Sequence, residues 1–265
     1  MAGEADQPWI PPIRAYQTND MLGDRDNWQA IPRTFAVFSN PFKFLEHAAR
    51  GTFPRQLELR SPTGPLTVKL RNFESLKTCF SIFCREDYKT PPSEGFMTLD
   101  LGANIGVAAL YFLSRNVTTR VRCYEPDPAN LDLLHQNLEP FKERVEIIPK
   151  AVAPSGGLGT LFRANDGKHS SLRQDVAVYN GFAAEVPTEL VAFEEILQSV
   201  PSNDLDILLK VDVEGIERDL IQSVDFRDHP RIRRILVECV SCAELITRPH
   251  RRTLRSGGVE DIEFV

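Results

Sequence analysis

The sequence predicts an α/β fold in which a mostly parallel sheet carries helices on both faces. Three observations predict it. From residue 96 onward, short apolar runs alternate with amphipathic stretches of helical length, the pattern of repeated strand–helix–strand units. The first run leads directly into Asp100-Leu101-Gly102-Ala103-Asn104-Ile105-Gly106, a glycine loop between a strand and a helix. The second run ends on Glu125, where an acid can accept hydrogen bonds from both hydroxyls of a ribose.

Residues 1–52 hold Pro8, Pro11, Pro12 and Pro32 among polar residues, which predicts an irregular arm, with Trp9 and Trp28 either pinning it to the body or lining a pocket. Within 53–95, Leu57 and Leu59 alternate with polar residues, Ser61-Pro62-Thr63-Gly64-Pro65 supplies a turn, and Leu66, Val68 and Leu70 alternate again. That is a hairpin pattern. A short helix over Glu74–Cys84 and a proline-bearing linker over Tyr88–Ser93 complete this second part. In the main domain, 96–265, strands are predicted at Phe96–Leu99, Val121–Tyr124, Val145–Pro149, Ile207–Val211 and Ile235–Glu238. Helices are predicted at Gly106–Ser114, Ala129–Leu138, Glu189–Leu197 and Gly215–Ile221. After Glu238 only 27 residues remain, ending in Val259–Val265, with room for one helix and one strand. The sheet is therefore expected to be shortened at its C-terminal end, or its edge to be covered by the arm or by a second copy in a homodimer, because a bare edge invites strand pairing.

At 42% apolar and 26% charged residues the composition is that of a soluble globular protein, and no run approaches the roughly 18 apolar residues of a membrane span. The first residues lack the basic start and apolar core of a secretion signal, so a cytoplasmic location is expected, with no membrane partner. Five cysteines fit reduced thiols; Cys239 and Cys242 form a C-x-x-C without a second pair at metal-ligand spacing, and packing is its expected role. The net charge of −6 argues against nucleic acid and for a small-molecule partner. Arg231, Arg233 and Arg234, and the run Arg248, His250, Arg251, Arg252, Arg255, are read as solvated faces.

Charge also selects the ligand of the glycine loop. A dinucleotide would bring a pyrophosphate against Asp100, whereas S-adenosylmethionine brings an ammonium and a sulfonium. Asp100, Glu125, Asp127, Asp212 and Glu214 are all expected at one rim of the sheet, against the cation Lys210. An NAD-dependent oxidoreductase would also want G-x-G-x-x-G, and position 104 is Asn where its second glycine should stand.

Three segments resemble the FkbM-type methyltransferases, which methylate hydroxyl groups of sugars and natural products. They are Leu99-Asp100-Leu101-Gly102-Ala103-Asn104-Ile105-Gly106, Tyr124-Glu125-Pro126-Asp127-Pro128 with Asn130 and Leu133, and Leu209-Lys210-Val211-Asp212-Val213-Glu214-Gly215-Ile216-Glu217. Phe83-Cys84-Arg85-Glu86-Asp87-Tyr88 looks like the family's approach to its first strand, and the resemblance spans about residues 53–240. It implies a Rossmann-like class I methyltransferase sheet and S-adenosylmethionine as cofactor, with S-adenosylhomocysteine as product. It further implies that Asp100, Gly102, Ala103, Asn104 and Gly106 line the methionine part, that Glu125, Pro126 and Asp127 belong to the nucleoside side with Glu125 on the ribose, and that Ala151 lies near the adenine.

On the fourth strand Lys210, Asp212 and Glu214 are two apart and share a face. Asp212 and Glu214 are candidates for a general base toward an acceptor hydroxyl, Asp212 with direct ligand contact, or for holding a divalent ion; no metal ligand set is assigned. The plain alternative is that Glu214 caps the helix from Gly215 and Asp212 pairs with Lys210. His169, in the Gly- and Asp-bearing segment before that strand, is a second candidate base. A cofactor-binding module of the same fold without turnover is the rival reading of the chain.

Overall fold

The computed structural model describes residues 21, 25–201, 205–239 and 241–265. Residues 25–50, part of the expected irregular arm, are helical: α1 (Arg25–Ala30), α2 (Thr34–Val37) and α3 (Pro41–Arg50). Pro32 sits in the first turn of a short 3-10 helix over Ile31–Arg33 and Pro41 in that of α3, where a missing N–H costs nothing, while Pro8, Pro11 and Pro12 lie outside the described residues. Asn40 caps α3 by accepting from the Lys43 N–H at 3.0 Å, and Gly51 ends it at φ +63°. Phe38 and Phe44, stacked at 4.0 Å between centroids, seat this segment on the body, while Trp28 is 63% exposed and Trp9 lies outside the described residues.

The expected hairpin forms as β1 (Gln56–Ser61) and β2 (Gly64–Lys69), burying Leu57, Leu59, Leu66 and Val68. The helix α4 (Phe73–Phe80) follows and runs into a π-turn over Ser81–Arg85. The main domain then supplies β3 (Phe96–Leu101), α5 (Val107–Arg115), β4 (Arg120–Tyr124), α6 (Pro128–Leu138) and β5 (Val145–Ile148). Next come β6 (Ala151–Ala153), β7 (Gly157–Ala164), α7 (Gln174–Tyr179), β8 (Phe182–Ala192) and α8 (Phe193–Gln198). The chain ends with β9 (Asp206–Val211), α9 (Glu217–Gln222), β10 (Ile232–Glu238), β11 (His250–Leu254) and β12 (Val259–Phe264).

Seven strands form one sheet in the order β11-β12-β10-β9-β3-β4-β5, parallel from β5 to β10. The Rossmann-like expectation holds, but the sheet is not shortened. Two strands, both antiparallel to their neighbours, complete it beyond β10. Their acidic residues are neutralised from inside the fold. The fully buried Glu260 accepts from the Ser241 and Ala243 N–H groups at 2.7 Å and pairs with Arg252, while Asp261 pairs with Arg234 and Arg255. Arg248 lies 4.2 Å over the Phe264 ring. These arginines are thus structural partners rather than members of a solvated face.

The predicted helix over Glu189–Leu197 begins only at Phe193; residues 189–192 belong to β8, which pairs with β7 and β6 in a separate three-stranded sheet. Position 239 and position 242, expected as reduced thiols, are joined as a disulfide across the turn after β10, with Cα atoms 6.0 Å apart. Cys79, Cys84 and Cys123 are buried free thiols. Among the described residues no helix is long and apolar enough to cross a membrane.

Two cores lie on opposite faces of the sheet. One gathers Phe44, Leu59, Leu76, Phe80, Ala109, Leu208 and Leu236, so the N-terminal helices and hairpin share it with α5. The other gathers Leu99, Leu101, Phe193, Leu209, Val211, Leu220 and Val237. Because strand residues alternate faces, Asp100, Lys210 and Asp212 point to the first side, and so does Glu238, two residues beyond Leu236.

Candidate functional site

At the carboxyl ends of β3, β4, β9 and β10 lies a cavity of about 740 Å³. It sits beside the β3–β9 junction, where the strand order reverses and open α/β sheets bind ligands. Its floor is the glycine loop. Gly102 has φ +79°, and a Cβ there would stand 1.9 Å from the backbone oxygen of Asp212, so the loop and the end of β9 meet only because that residue is glycine.

Every amide of this loop is already used. Gly102 and Ala103 both donate to the Tyr124 carbonyl at 3.0 Å, and Gly106 donates to the Ala103 carbonyl at 2.9 Å. The Asn104 N–H donates to Glu125 Oε2 at 2.8 Å, and the Ile105 N–H to Asn104 Oδ1 at 2.7 Å. A pyrophosphate is held by free loop and helix amides. Residues 102–106 offer it none, and an acid stands beside them.

Glu125, at the end of β4, is 5% exposed and lines the cavity. Its Oε1 accepts from the Asp127 N–H at 2.9 Å and from Asn130 Nδ2 at 3.0 Å. Burial pushes its pKa up, against the pull of these three donors. With two lone-pair positions per oxygen, one on Oε2 is left for a ligand hydroxyl. Asp127 itself turns away: it caps α6 through the Ala129 N–H at 2.9 Å and pairs with Arg163 at 2.9 Å, outside the cavity lining. This corrects its expected cofactor contact.

Asp100 and Lys210 are corrected in the same way. Asp100 is fully buried beneath the loop, with the Lys210 ammonium 3.1 Å from Oδ1. Lys210 also lies 3.3 Å from Asp212 Oδ2 and donates to the Gly102 carbonyl at 2.7 Å. Burial would lower its pKa, but Asp100 and Asp212 raise it further, so it stays charged and ties β9 to the loop instead of moving protons. Gly106 starts α5 at φ +87° against Leu134 and does not line the cavity.

Asp212, Glu214 and Lys210 do come together at the cavity, joined by three groups that sequence reasoning did not single out: Tyr88, Lys168 and Glu238. The Tyr88 hydroxyl donates to Asp212 Oδ2 at 3.2 Å, and the register of β9 and β10 brings Glu238 opposite Asp212. Burial would raise the pKa of Asp212, yet Lys210 and Lys168 bring it below the ordinary value. Burial and the Asp212 charge push Glu238 up to about 8 and Glu214 well above its ordinary value. Glu214 sits in left-handed conformation at φ +58° and does not cap α9, whose N-cap position is Ile216 without a side-chain cap; Glu217 instead fixes the loop before the helix by accepting from the Val213 and Gly215 N–H groups at 3.0 and 2.9 Å. The signal for Glu238 was available: it ends the strand next to the one carrying Asp212. Among the described residues no three His, Cys, Asp or Glu side chains are arranged to hold a metal ion.

The segment between β7 and α7 covers the loop. Asn104 and Asn130 both donate to the Gly167 carbonyl, at 3.3 and 3.2 Å, and Ser171 Oγ donates to the Glu214 carbonyl. This brings His169 and Lys168 to the cavity. His169 is hydrogen-bonded to Asp166; against the effect of burial, that contact takes Asp166 down to about 2. Pro126 and Ala151 line the same cavity.

Residues 100–244 match the profile of the methyltransferase FkbM domain. Methyltransferase 1 of Beauveria bassiana (strain ARSEF 2860) is 25% identical over 173 residues, 59% of this chain and 69% of that protein. Methyltransferase sdnD of Sordaria araneosa is 28% identical over 189 residues, 61% and 72% of the two chains. The 31-O-demethyl-FK506 methyltransferase FkbM of Streptomyces tacrolimicus is 23% identical over 209 residues, 68% and 80%. A crystal structure of methyltransferase FkbM from Methylobacillus flagellatus KT aligns with a TM-score of 0.44 at 13% identity, over 73% of this chain and 54% of that one.

Proposed function

Because the chain belongs to the FkbM methyltransferase family, we propose that it moves a methyl group from S-adenosylmethionine to a hydroxyl oxygen of a small molecule. The observation that carries the cofactor reading is the glycine loop, whose amides are spent within the protein while Glu125, Asp212 and Glu214 line the adjoining cavity. Such a surface suits a cationic ligand and is poor for a pyrophosphate.

The donor supplies a methyl group already activated on a sulfonium, so the protein's part is largely positioning. Glu125 would take a ribose hydroxyl on its remaining lone pair, Gly102, Ala103 and Asn104 would lie along the methionine part, and Pro126 and Ala151 would border the nucleoside. Asp212, held by Tyr88 and Lys210, would face the acceptor. The name of the Streptomyces tacrolimicus relative, a methyltransferase of a 31-O-demethyl compound, supports oxygen as the atom methylated.

Calorimetric titration with S-adenosylhomocysteine and, separately, with NAD tests the reading. The expected result is micromolar binding of the first and none of the second. Binding of NAD alone would replace the methyltransferase reading with a dinucleotide-dependent one.

A further inference from the structure

Two carboxyl groups set side by side in a buried site oppose each other's ionisation, so one of them is favoured to keep its proton. The register of β9 and β10, in which Val237 pairs with Val211, brings Glu238 opposite Asp212 on the side of the sheet that faces the cavity, and both line it. We propose that Asp212 and Glu238 share one proton in the free protein, that a ligand bearing a sulfonium expels it, and that the emptied pair then receives the proton of the acceptor hydroxyl.

This rests on the S-adenosylmethionine reading and adds to it a residue and a trigger. The charges around Glu238 come from several elements, with Arg252 and Arg255 also lining the cavity and Glu260 next to Val259, the β12 residue that pairs with Glu238. Asp212 and Lys210 lie on or just past β9, Glu214 on the loop after it, Lys168 on the covering segment, and Tyr88 on the stretch before β3. Lys168 and Lys210 stabilise one carboxylate of the pair, and Glu214 and Asp212 oppose a second. With burial, that balance leaves Glu238 near pKa 8. One added positive charge within a few ångströms favours the ionised form and moves such a group down through neutral pH.

The proton balance closes over one turnover. Donor binding sends the shared proton to solvent. As the acceptor oxygen forms its bond to the methyl carbon, the carbon–sulfur bonding pair goes to sulfur, and the hydroxyl proton passes to the carboxylate pair. The remaining cofactor is neutral at sulfur, so nothing then drives the proton off, and the pair is back in its starting state.

The test is calorimetric titration with S-adenosylmethionine and with S-adenosylhomocysteine at pH 7.5, each in phosphate and in Tris, so that the difference in apparent enthalpy counts protons released. The expected result is up to one more proton released by S-adenosylmethionine than by S-adenosylhomocysteine, with the excess gone in Glu238→Gln. Tight binding of both with equal proton release overturns the proposal and leaves the cofactor reading intact. An excess that persists in Glu238→Gln also overturns it. If neither cofactor binds, both readings fall. Should Glu238→Gln not fold, the wild-type comparison decides alone, joined by the infrared carbonyl band of a protonated carboxyl, which S-adenosylmethionine should bleach and S-adenosylhomocysteine should not.

Discussion

Replacing Lys210 by Met tests whether that residue is a structural tie or a catalytic group. Its ammonium is 3% exposed, and it is the charge that Asp100, fully buried, faces at 3.1 Å. Asp212 keeps the Tyr88 hydroxyl and the charge of Lys168 when Lys210 is gone, so the loss concentrates at Asp100. Removing one partner of a buried pair costs about 3 to 5 kcal/mol, because the other charge is left uncompensated. For a chain of this size that is a fall in Tm on the order of 6 to 20 °C. The variant also acquires a pH dependence. Burial already raises the pKa of Asp100, and without Lys210 it rises further above the unfolded value. The unfolded chain then releases the proton first, so the deficit is fully present above the raised folded pKa and disappears as pH falls toward the unfolded value near 4. Urea unfolding at pH 8 and pH 5.5 should show the variant recovering on acidification relative to wild type, and Lys210→Met with Asp100→Asn should regain most of the loss at pH 8. A single variant within about 1 kcal/mol of wild type at pH 8 would refute the tie.

Two further substitutions probe the cavity. Glu125→Ala should weaken S-adenosylhomocysteine by about ten- to a hundredfold in calorimetry, from loss of charged hydrogen bonds worth roughly 1.5 to 3 kcal/mol; unchanged affinity in a folded variant would remove Glu125 from the site. Gly102→Ala should lower stability by more than the roughly 1 to 2 kcal/mol of its left-handed backbone alone, since its Cβ would stand 1.9 Å from a backbone oxygen, and a thermal melt matching wild type would contradict that contact.

What the sequence disclosed follows from how each segment is buried. Strands β3, β4, β9 and β10 are buried over most of their length, so they read as short, largely apolar runs and were legible. Strand β12 is also buried, but it carries Glu260 and Asp261, whose charges are answered by arginines on β10, on β11 and between β11 and β12. Nothing local to Val259–Phe264 announces that pairing. Strand β8 misled for another reason: Glu189–Leu197 has helical composition, and its first four residues are extended because β6 and β7 offer them backbone partners.

The site shows the same division at finer scale. Reading the rim from the sequence placed Asp100, Asp127, Asp212 and Glu214 together because each lies at a strand end. Strand parity and capping then separate them: Asp127 belongs to the first turn of α6 and Asp100 to the interior, while Asp212 and Glu214 remain at the cavity. Glu238 enters by register. Leu236 pairs with Lys210, so two residues further on Glu238 arrives opposite Asp212. The two carboxyls therefore meet because β9 and β10 are parallel neighbours in this register, and the C-terminal strands that hold β10 in place also hold the partner of Asp212. Glu260 fixes the turn after β10 through the Ser241 and Ala243 N–H groups. A change at Glu260, remote in sequence from every motif of the cofactor loop, should thus alter the proton-sharing pair before it alters the grip on the nucleoside.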